Sequence, residues 1–183
     1  MLRLPTALAI FLTLVVAAPA HAATLGQRPL KRGNHGPDVV TLQRVLAMKG
    51  YAVGGADGIF GRRTKVAVKN FQRRRHLAAD GVVGPATTRA LAETWGVRTA
   101  TFYGPGLYGN RTACGHTLGR RTRGIAHRTL PCGALVPVYR NGRIAIFPVI
   151  DRGPYTSGVE LDLTSAAARM LGLSTTSAVR AGY

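Results

Sequence analysis

The spacing of apolar residues changes character twice along the chain. Positions 7–18 are almost continuously apolar and follow a short basic head, Met1-Leu2-Arg3. From position 37 to about 93, apolar residues recur every three or four, the period of a helix with one buried face. Val39, Leu42, Val45 and Leu46, with the stem of Lys49, share such a face, and Pro37-Asp38 suits its first turn. A second helix over about 61–75 places Thr64, Ala67, Val68 and Phe71 inward and Arg62, Lys65, Lys69 and Arg73 outward. A third, shorter helix runs from position 85 to about 93. Asp57-Gly58-Ile59-Phe60-Gly61-Arg62-Arg63-Thr64 is echoed by Asp80-Gly81-Val82-Val83-Gly84-Pro85-Ala86-Thr87, and each Asp-Gly bends the chain into the helix that follows. These features predict a three-helix unit over 29–93.

Beyond position 99 the pattern becomes that of strands. Short β-rich runs at 99–102, 124–127, 135–139 and 144–150 alternate with Gly, Pro and Asn turns, and Asn141-Gly142 between two apolar runs marks a hairpin. One helix is expected over 164–171, capped by Thr164 or Asp162. Many short strands with one helix predict a small closed β-barrel over 100–183. Residues 94–99 read as a linker, with Trp95 either packed between the two units or exposed beside them.

The opening segment is not fold material. A basic head, an apolar core and the small-x-small sequence Ala20-His21-Ala22 make residues 1–22 a secretory signal. The apolar run is too short to span a membrane comfortably and Pro19 interrupts it, so no membrane association is expected after cleavage. In an exported chain the two cysteines, Cys114 and Cys132, favour a disulfide over a thiol nucleophile or a metal site.

The formal net charge is +18, of which the signal carries one unit, residues 23–98 ten and residues 99–183 seven. An exported basic protein meets anionic polymers, which in a bacterial wall are teichoic-type phosphates and peptide carboxylates. The signal, and the lack of any recognition-helix or zinc-finger spacing, argue against nucleic acid. The basic stripe on the second helix either attracts such polymers or is a solvated face.

Acids are scarce. From position 99 onward there are only Asp151, Glu160 and Asp162. Asp151 ends the apolar run Ile146-Phe147-Pro148-Val149-Ile150, and Gly153-Pro154 turns the chain immediately after it. That placement holds a carboxylate at the mouth of a folded domain. His116 and His127 with Asp151 lack zinc-ligand spacing, so neither metal nor cofactor is expected.

Two resemblances sharpen this reading. Gly33, Asp38-Val39-Val40, Leu42-Gln43, Gly50-Tyr51, Asp57-Gly58-Ile59-Phe60-Gly61, Thr64, Phe71-Gln72 and Asp80-Gly81-Val82-Val83-Gly84 with Thr87 resemble the peptidoglycan-binding domain 1 family. The resemblance implies a non-catalytic module that docks on wall peptide or glycan. Thr101-Phe102-Tyr103-Gly104, Gly109 to Gly115, Ala126-His127-Arg128-Thr129-Leu130-Pro131-Cys132-Gly133, Asp151-Arg152-Gly153-Pro154-Tyr155 and Leu161-Asp162-Leu163-Thr164 together resemble the rare lipoprotein A-like family. It implies a six-stranded double-psi β-barrel, hence an α+β chain with a small three-helix bundle before the barrel. It also implies cleavage of peptidoglycan glycan strands by lytic transglycosylation.

Such a reaction needs one acid to protonate the glycosidic oxygen while the sugar's own C6 hydroxyl attacks, whereas ordinary glycosidases use two carboxylates. Asp151 matches the family's acid and His127 its histidine. Asp162 matches the acid of more distant relatives and is the rival. Tyr103 and Tyr155 are candidates for stacking on sugar or for packing at the barrel rim, and Arg152 and His116 for substrate contact. Against these stand plainer roles: Asp151 in an ion pair with Arg152, which favours the charged form and disqualifies a proton donor, Asp162 as a helix cap, and His127 as a barrel histidine. The chain departs from its active relatives at Cys114-Gly115-His116, where they often carry Ser-Gly-Glu. The expected protein is therefore exported to the cell wall, binding peptidoglycan and either cutting its glycan strands or, like expansins, loosening them without cleavage. A secreted domain that inhibits or recruits other wall enzymes is a third class.

Overall fold

A computed structural model describes residues 24–183. The signal read at 1–22 lies outside the described residues. Four helices and six strands follow in the order α1 (Pro37–Met48), α2 (Arg62–Arg74), α3 (Pro85–Ala92), β1 (Gly96–Tyr103), β2 (Ile125–Ala126), β3 (Leu135–Arg140), β4 (Arg143–Asp151), β5 (Leu161–Thr164), α4 (Ser165–Leu171) and β6 (Ser177–Ala181).

The helical part is built twice from one device. Gln43 and Gln72 are almost completely buried, and each amide fills the Asp-Gly loop that follows it. Gln43 Nε2 donates to Asp57 Oδ1 (2.7 Å) and to the Ile59 carbonyl (3.0 Å), while its Oε1 accepts the Gly58 N–H (2.9 Å). Gln72 repeats this on Asp80 (2.9 Å), Val82 (2.9 Å) and Gly81 (2.9 Å). Gly58 and Gly81 take positive φ values, 77° and 79°, which favour glycine there. α2 and α3 each start behind a glycine, Gly61 or Gly84, without a side-chain cap. The glutamine thus replaces the usual cap by fixing the loop that enters the helix.

The six strands close into a barrel in the order β1-β5-β2-β4-β3-β6. β1 runs parallel to β5 and antiparallel to β6, and β2 runs parallel to β4 and antiparallel to β5. β3 and β4 form the expected hairpin; Asn141 (φ 49°) and Gly142 (φ 76°) have the positive angles of a tight hairpin turn. The interior is filled by Ala100, Ile125, Val136, Val138, Ala145, Phe147, Val149, Leu161 and Leu163, with Ala167, Ala168 and Leu171 of α4 packed against them. Of the two caps considered for α4, Thr164 is the one used: its side chain accepts the Ala167 N–H, whereas Asp162 lies within β5.

The two units share packing. Ile144 and Ile146, on the other face of β4, belong to the core of the helical unit with Leu25, Leu30, Leu42 and Leu46. Leu25 and Ile144 exchange both backbone hydrogen bonds (2.8 and 2.9 Å). A Cβ on Gly26 would fall 2.0 Å from the Gly142 carbonyl oxygen, so only glycine allows that approach. Residues 94–99, expected as a linker, are largely strand: Gly96 to Thr99 pair with Ala181 to Ala178 of β6. The cause is a partner some eighty residues further on, and nothing in the local pattern of Thr94-Trp95-Gly96-Val97-Arg98-Thr99 announces it.

Gln72→Ala leaves the buried Gly81 N–H without its acceptor, and an unpaired group of that kind costs ~1–3 kcal/mol. Urea unfolding should show a loss of that size, with a similar loss for Gln43→Ala at the matching position.

Candidate active site

Strict alternation along β4 after Phe147 and Val149 would carry Asp151 into the barrel. The register prevents this. On β2, Ile125 faces Val149 but the next residue, Ala126, faces Asp151, so β4 holds one extra residue at Ile150. Such a bulge re-aims the side chains beyond it. Across the other edge of β2, Ala126 pairs with Asp162, and Asp162 pairs with Thr101 on β1. Thr101, Asp162, Ala126 and Asp151 therefore form a row over four neighbouring strands. Two carboxylates share one face, with only a methyl group on the strand between them.

Each acid is held differently. Asp151 Oδ1 accepts two backbone N–H groups, from Ala113 (2.8 Å) and from Arg152 (2.8 Å). Asp162 Oδ1 accepts the Thr101 hydroxyl at 2.7 Å. Burial pushes the Asp162 carboxyl above its ordinary value; the Thr101 hydrogen bond opposes this and the charge of Asp151 adds to it. Tyr103 lies beside both. Burial raises its hydroxyl far above the usual phenol, reinforced by Asp151 and Asp162. The hydroxyl oxygen is enclosed and stands next to Asp151 without reaching the geometry of a closed hydrogen bond.

His127 is near the pair in chain but not joined to it by side chain. Its backbone N–H donates to the Asp151 carbonyl (3.2 Å), and its Nδ1 accepts the N–H groups of Thr129 (3.2 Å) and Leu130 (3.0 Å). The ring meets Tyr183 edge to face at 4.9 Å. Burial, then the charges of Arg152, Arg128 and Arg98, lower its pKa, with Glu160 opposing. The imidazole is thus neutral at pH 7, with Nδ1 as acceptor and its proton on Nε2.

Arg152 does not pair with Asp151. Its guanidinium donates to the carbonyls of His127 (3.2 Å) and Leu130 (2.9 Å) and to the Cys132 sulfur (3.2 Å). Arg128, which sequence reasoning passed over, ties the 154–159 loop through the carbonyls of Pro154 (2.6 Å) and Val159 (2.9 Å). Cys114 and Cys132 form the disulfide, with Cα atoms 5.6 Å apart. It joins the loop whose Ala113 N–H holds Asp151 to the loop whose amides hold His127. Tyr155 is 83% exposed beyond the Gly153-Pro154 turn, and His116 is exposed on the 112–116 turn. Thr101 was quoted as part of a motif but not recognised as a partner of Asp162; a strand threonine two positions before Tyr103 was the available signal.

The arrangement defines a class: a helical module docked on a double-psi barrel that carries two acids on one outer face. The family described as "Putative peptidoglycan binding domain" matches residues 35–91, and the family described as "Lytic transglycolase" matches residues 99–183. Each module is thus similar to one family, the helical part to the first and the barrel to the second. It is 45% identical over 76 residues to the probable endolytic peptidoglycan transglycosylase RlpA of Synechocystis sp., covering 40% of this chain and 24% of that protein. It is 41% identical over 86 residues to the endolytic peptidoglycan transglycosylase RlpA of Pseudomonas aeruginosa, covering 46% and 25%. The chain thus spans about a quarter of the length of these curated relatives. Among solved structures, the SleB N-terminal domain is 36% identical with a TM-score of 0.37, covering 38% of this chain and 94% of that one.

Because Asp162 has a raised value in the folded chain, its charged form is disfavoured there. Stability from this group is fully present below the ordinary carboxylate value of 3.8 and falls as pH rises through the folded value. Asp162→Asn keeps an acceptor for Thr101 and removes the charge. Its melting temperature should exceed that of the parent at pH 7, with the difference closing as pH drops below 3.8. Reducing the Cys114–Cys132 bridge should lower unfolding free energy by ~3 kcal/mol in urea titrations, the scale for a loop of this size.

Proposed function

We propose that this is an exported bacterial cell-wall protein that binds peptidoglycan through its helical module and cleaves glycan strands as a lytic transglycosylase. The observation that carries the catalytic half is the carboxylate pair: burial and the charge of Asp151 favour retention of a proton on Asp162, beside Asp151, at pH values where a free aspartate has lost it. In this reading Asp151 is the acid/base, because it stands in the row with Asp162 and the Arg152 guanidinium is engaged elsewhere, on the His127 and Leu130 carbonyls. It gives a proton to the glycosidic oxygen as the bond to the anomeric carbon breaks. The C6 hydroxyl of the same sugar bonds to that carbon, and its proton returns to the carboxylate. A 1,6-anhydro end results and no water is consumed. Asp162 acts as the electrostatic partner that keeps the pair protonated. Arg152 acts on the His127 loop and not on the sugar. The similarity of residues 35–91 to the peptidoglycan binding domain family, and of 99–183 to proteins named as transglycosylases, supports the substrate class. The leader-like residues 1–22 support export to the wall. Anionic wall polymers are the further partners that the basic charge would attract.

One observation favours a second reading, gripping of strands without cleavage. The His127 ring is engaged with Thr129, Leu130 and Tyr183 and makes no side-chain link to either acid among the described residues.

Digestion of purified peptidoglycan decides between the two. The parent chain should release anhydro-muropeptides, and Asp151→Asn should release ~10²–10⁴-fold less, the usual worth of general acid/base catalysis. The variant should still sediment with intact sacculi. No soluble product from the parent chain would leave the gripping reading, and full activity of Asp151→Asn with loss in Asp162→Asn would move the acid to Asp162.

A further inference from the structure

Two residues of β1 carry hydroxyls on the face that bears the acids. Thr101 faces Asp162 across the β1–β5 edge, and Tyr103, two positions on and so on the same side of the strand, faces Thr164. The strand ends there. The Tyr103 carbonyl accepts the Ser165 hydroxyl of α4 (2.9 Å), and Gly104 follows at φ 150°, where a Cβ would fall 2.5 Å from the same Ser165 Oγ. The backbone bond and the close approach together fix where the Tyr103 side chain starts.

The two hydroxyls are used differently. Thr101 donates to Asp162 Oδ1 (2.7 Å). The Tyr103 hydroxyl oxygen is shut off from solvent and has no hydrogen-bond partner; among the described residues the only other enclosed side-chain atom in that state is Arg98 Nε. Unpaired buried polar groups are rare and costly, so one kept beside a carboxylate points to a bond made in another state of the site. That carboxylate is Asp151. Both backbone bonds to it end on Oδ1, which leaves Oδ2 for a further donor. Burial and the charges of both acids raise the Tyr103 hydroxyl far above an ordinary phenol, so at neutral pH it stays an O–H donor.

We propose that Tyr103 is a positioning residue for Asp151: its hydroxyl closes on Oδ2 when the carboxylate charge forms and opens when the proton returns. The proposal rests on the transglycosylase reading above and deepens it, giving each acid its own hydroxyl from β1. The proton balance is unchanged. Asp151 loses its proton to the glycosidic oxygen and regains one from the C6 hydroxyl, while Tyr103 keeps its own throughout. A hydrogen bond to a charged acceptor is stronger than one to a neutral acceptor, so the gain falls on the step that makes the charge and not on binding.

Tyr103→Phe removes the hydroxyl and keeps the ring. Release of anhydro-muropeptides should show kcat about 10–100-fold lower with KM unchanged, the scale of one hydrogen bond to a charged group. The melting temperature should stay at or above the parent's, because the atom removed is unpaired in the resting chain. On an Asp151→Asn background the same change should cost nothing further. Carbon NMR gives a readout that needs no activity. The Tyr103 Cζ resonance, assigned by its loss in Tyr103→Phe, should shift in one proton-binding step as pH falls from about 7 to about 3, and Asp151→Asn should abolish that step. An unchanged kcat, additive losses in the double variant, or a step that persists in Asp151→Asn overturns the proposal. A parent chain that yields no anhydro product but shows the Asp151-dependent step loses the transglycosylase reading and keeps the Tyr103–Asp151 bond.

Discussion

Alternate side chains of β4 enter two different cores. Ala145, Phe147 and Val149 fill the barrel, while Ile144 and Ile146 fill the helical module. A strand buried on both faces reads as a continuous apolar run, and the stretch from Ile144 to Ile150 is one. Because each face is fixed by its own core, the strand cannot slip by one residue without emptying both. The bulge at its end is then fixed as well, and with it the direction of Asp151. Module docking, barrel closure and placement of the acid therefore rest on one strand.

The basic composition also has a structural side. Several arginines spend their guanidinium groups on backbone carbonyls: Arg152 on the His127 loop, Arg128 on the 154–159 loop, Arg180 on Glu93 and Trp95, Arg143 on Met170. A planar fork with several donors can bind more than one carbonyl at once, which a lysine ammonium does less well. In a barrel with long connections this ties loops down without strands, and it fits the preponderance of arginine over lysine in the sequence. The charge is thus only partly a solvated face available to anionic polymers.

The acid pair works against stability. Two carboxylates on one face, one of them mostly buried, cost folding free energy at neutral pH that an apolar or amide pair would not. Around them, the disulfide, the Thr101 hydroxyl and the backbone N–H of Ala113 hold the geometry in place. The same loops fix His127 in a neutral state away from the pair, so the two halves of the family motif are coupled through the backbone and the Cys114–Cys132 bridge.

Local patterns carried a good deal. Helical spacing around Leu42 and Phe71, the repeated Asp-Gly turn, the Asn141-Gly142 hairpin and the strand runs were legible because each is a short-range consequence of side-chain periodicity or turn chemistry. So was the short list of acids, which needs only counting. The buried glutamines were in view as Leu42-Gln43 and Phe71-Gln72, but their partners lie fourteen and eight residues away and no periodicity links them. Strand β1 was mistaken in part for a linker because its pairing residues come from the far end of the chain. What folding alone decided is the row Thr101, Asp162, Ala126, Asp151. Those residues come from four strands, and the outward turn of the last depends on one extra residue in the register between β2 and β4, a relation between strands that no single segment encodes.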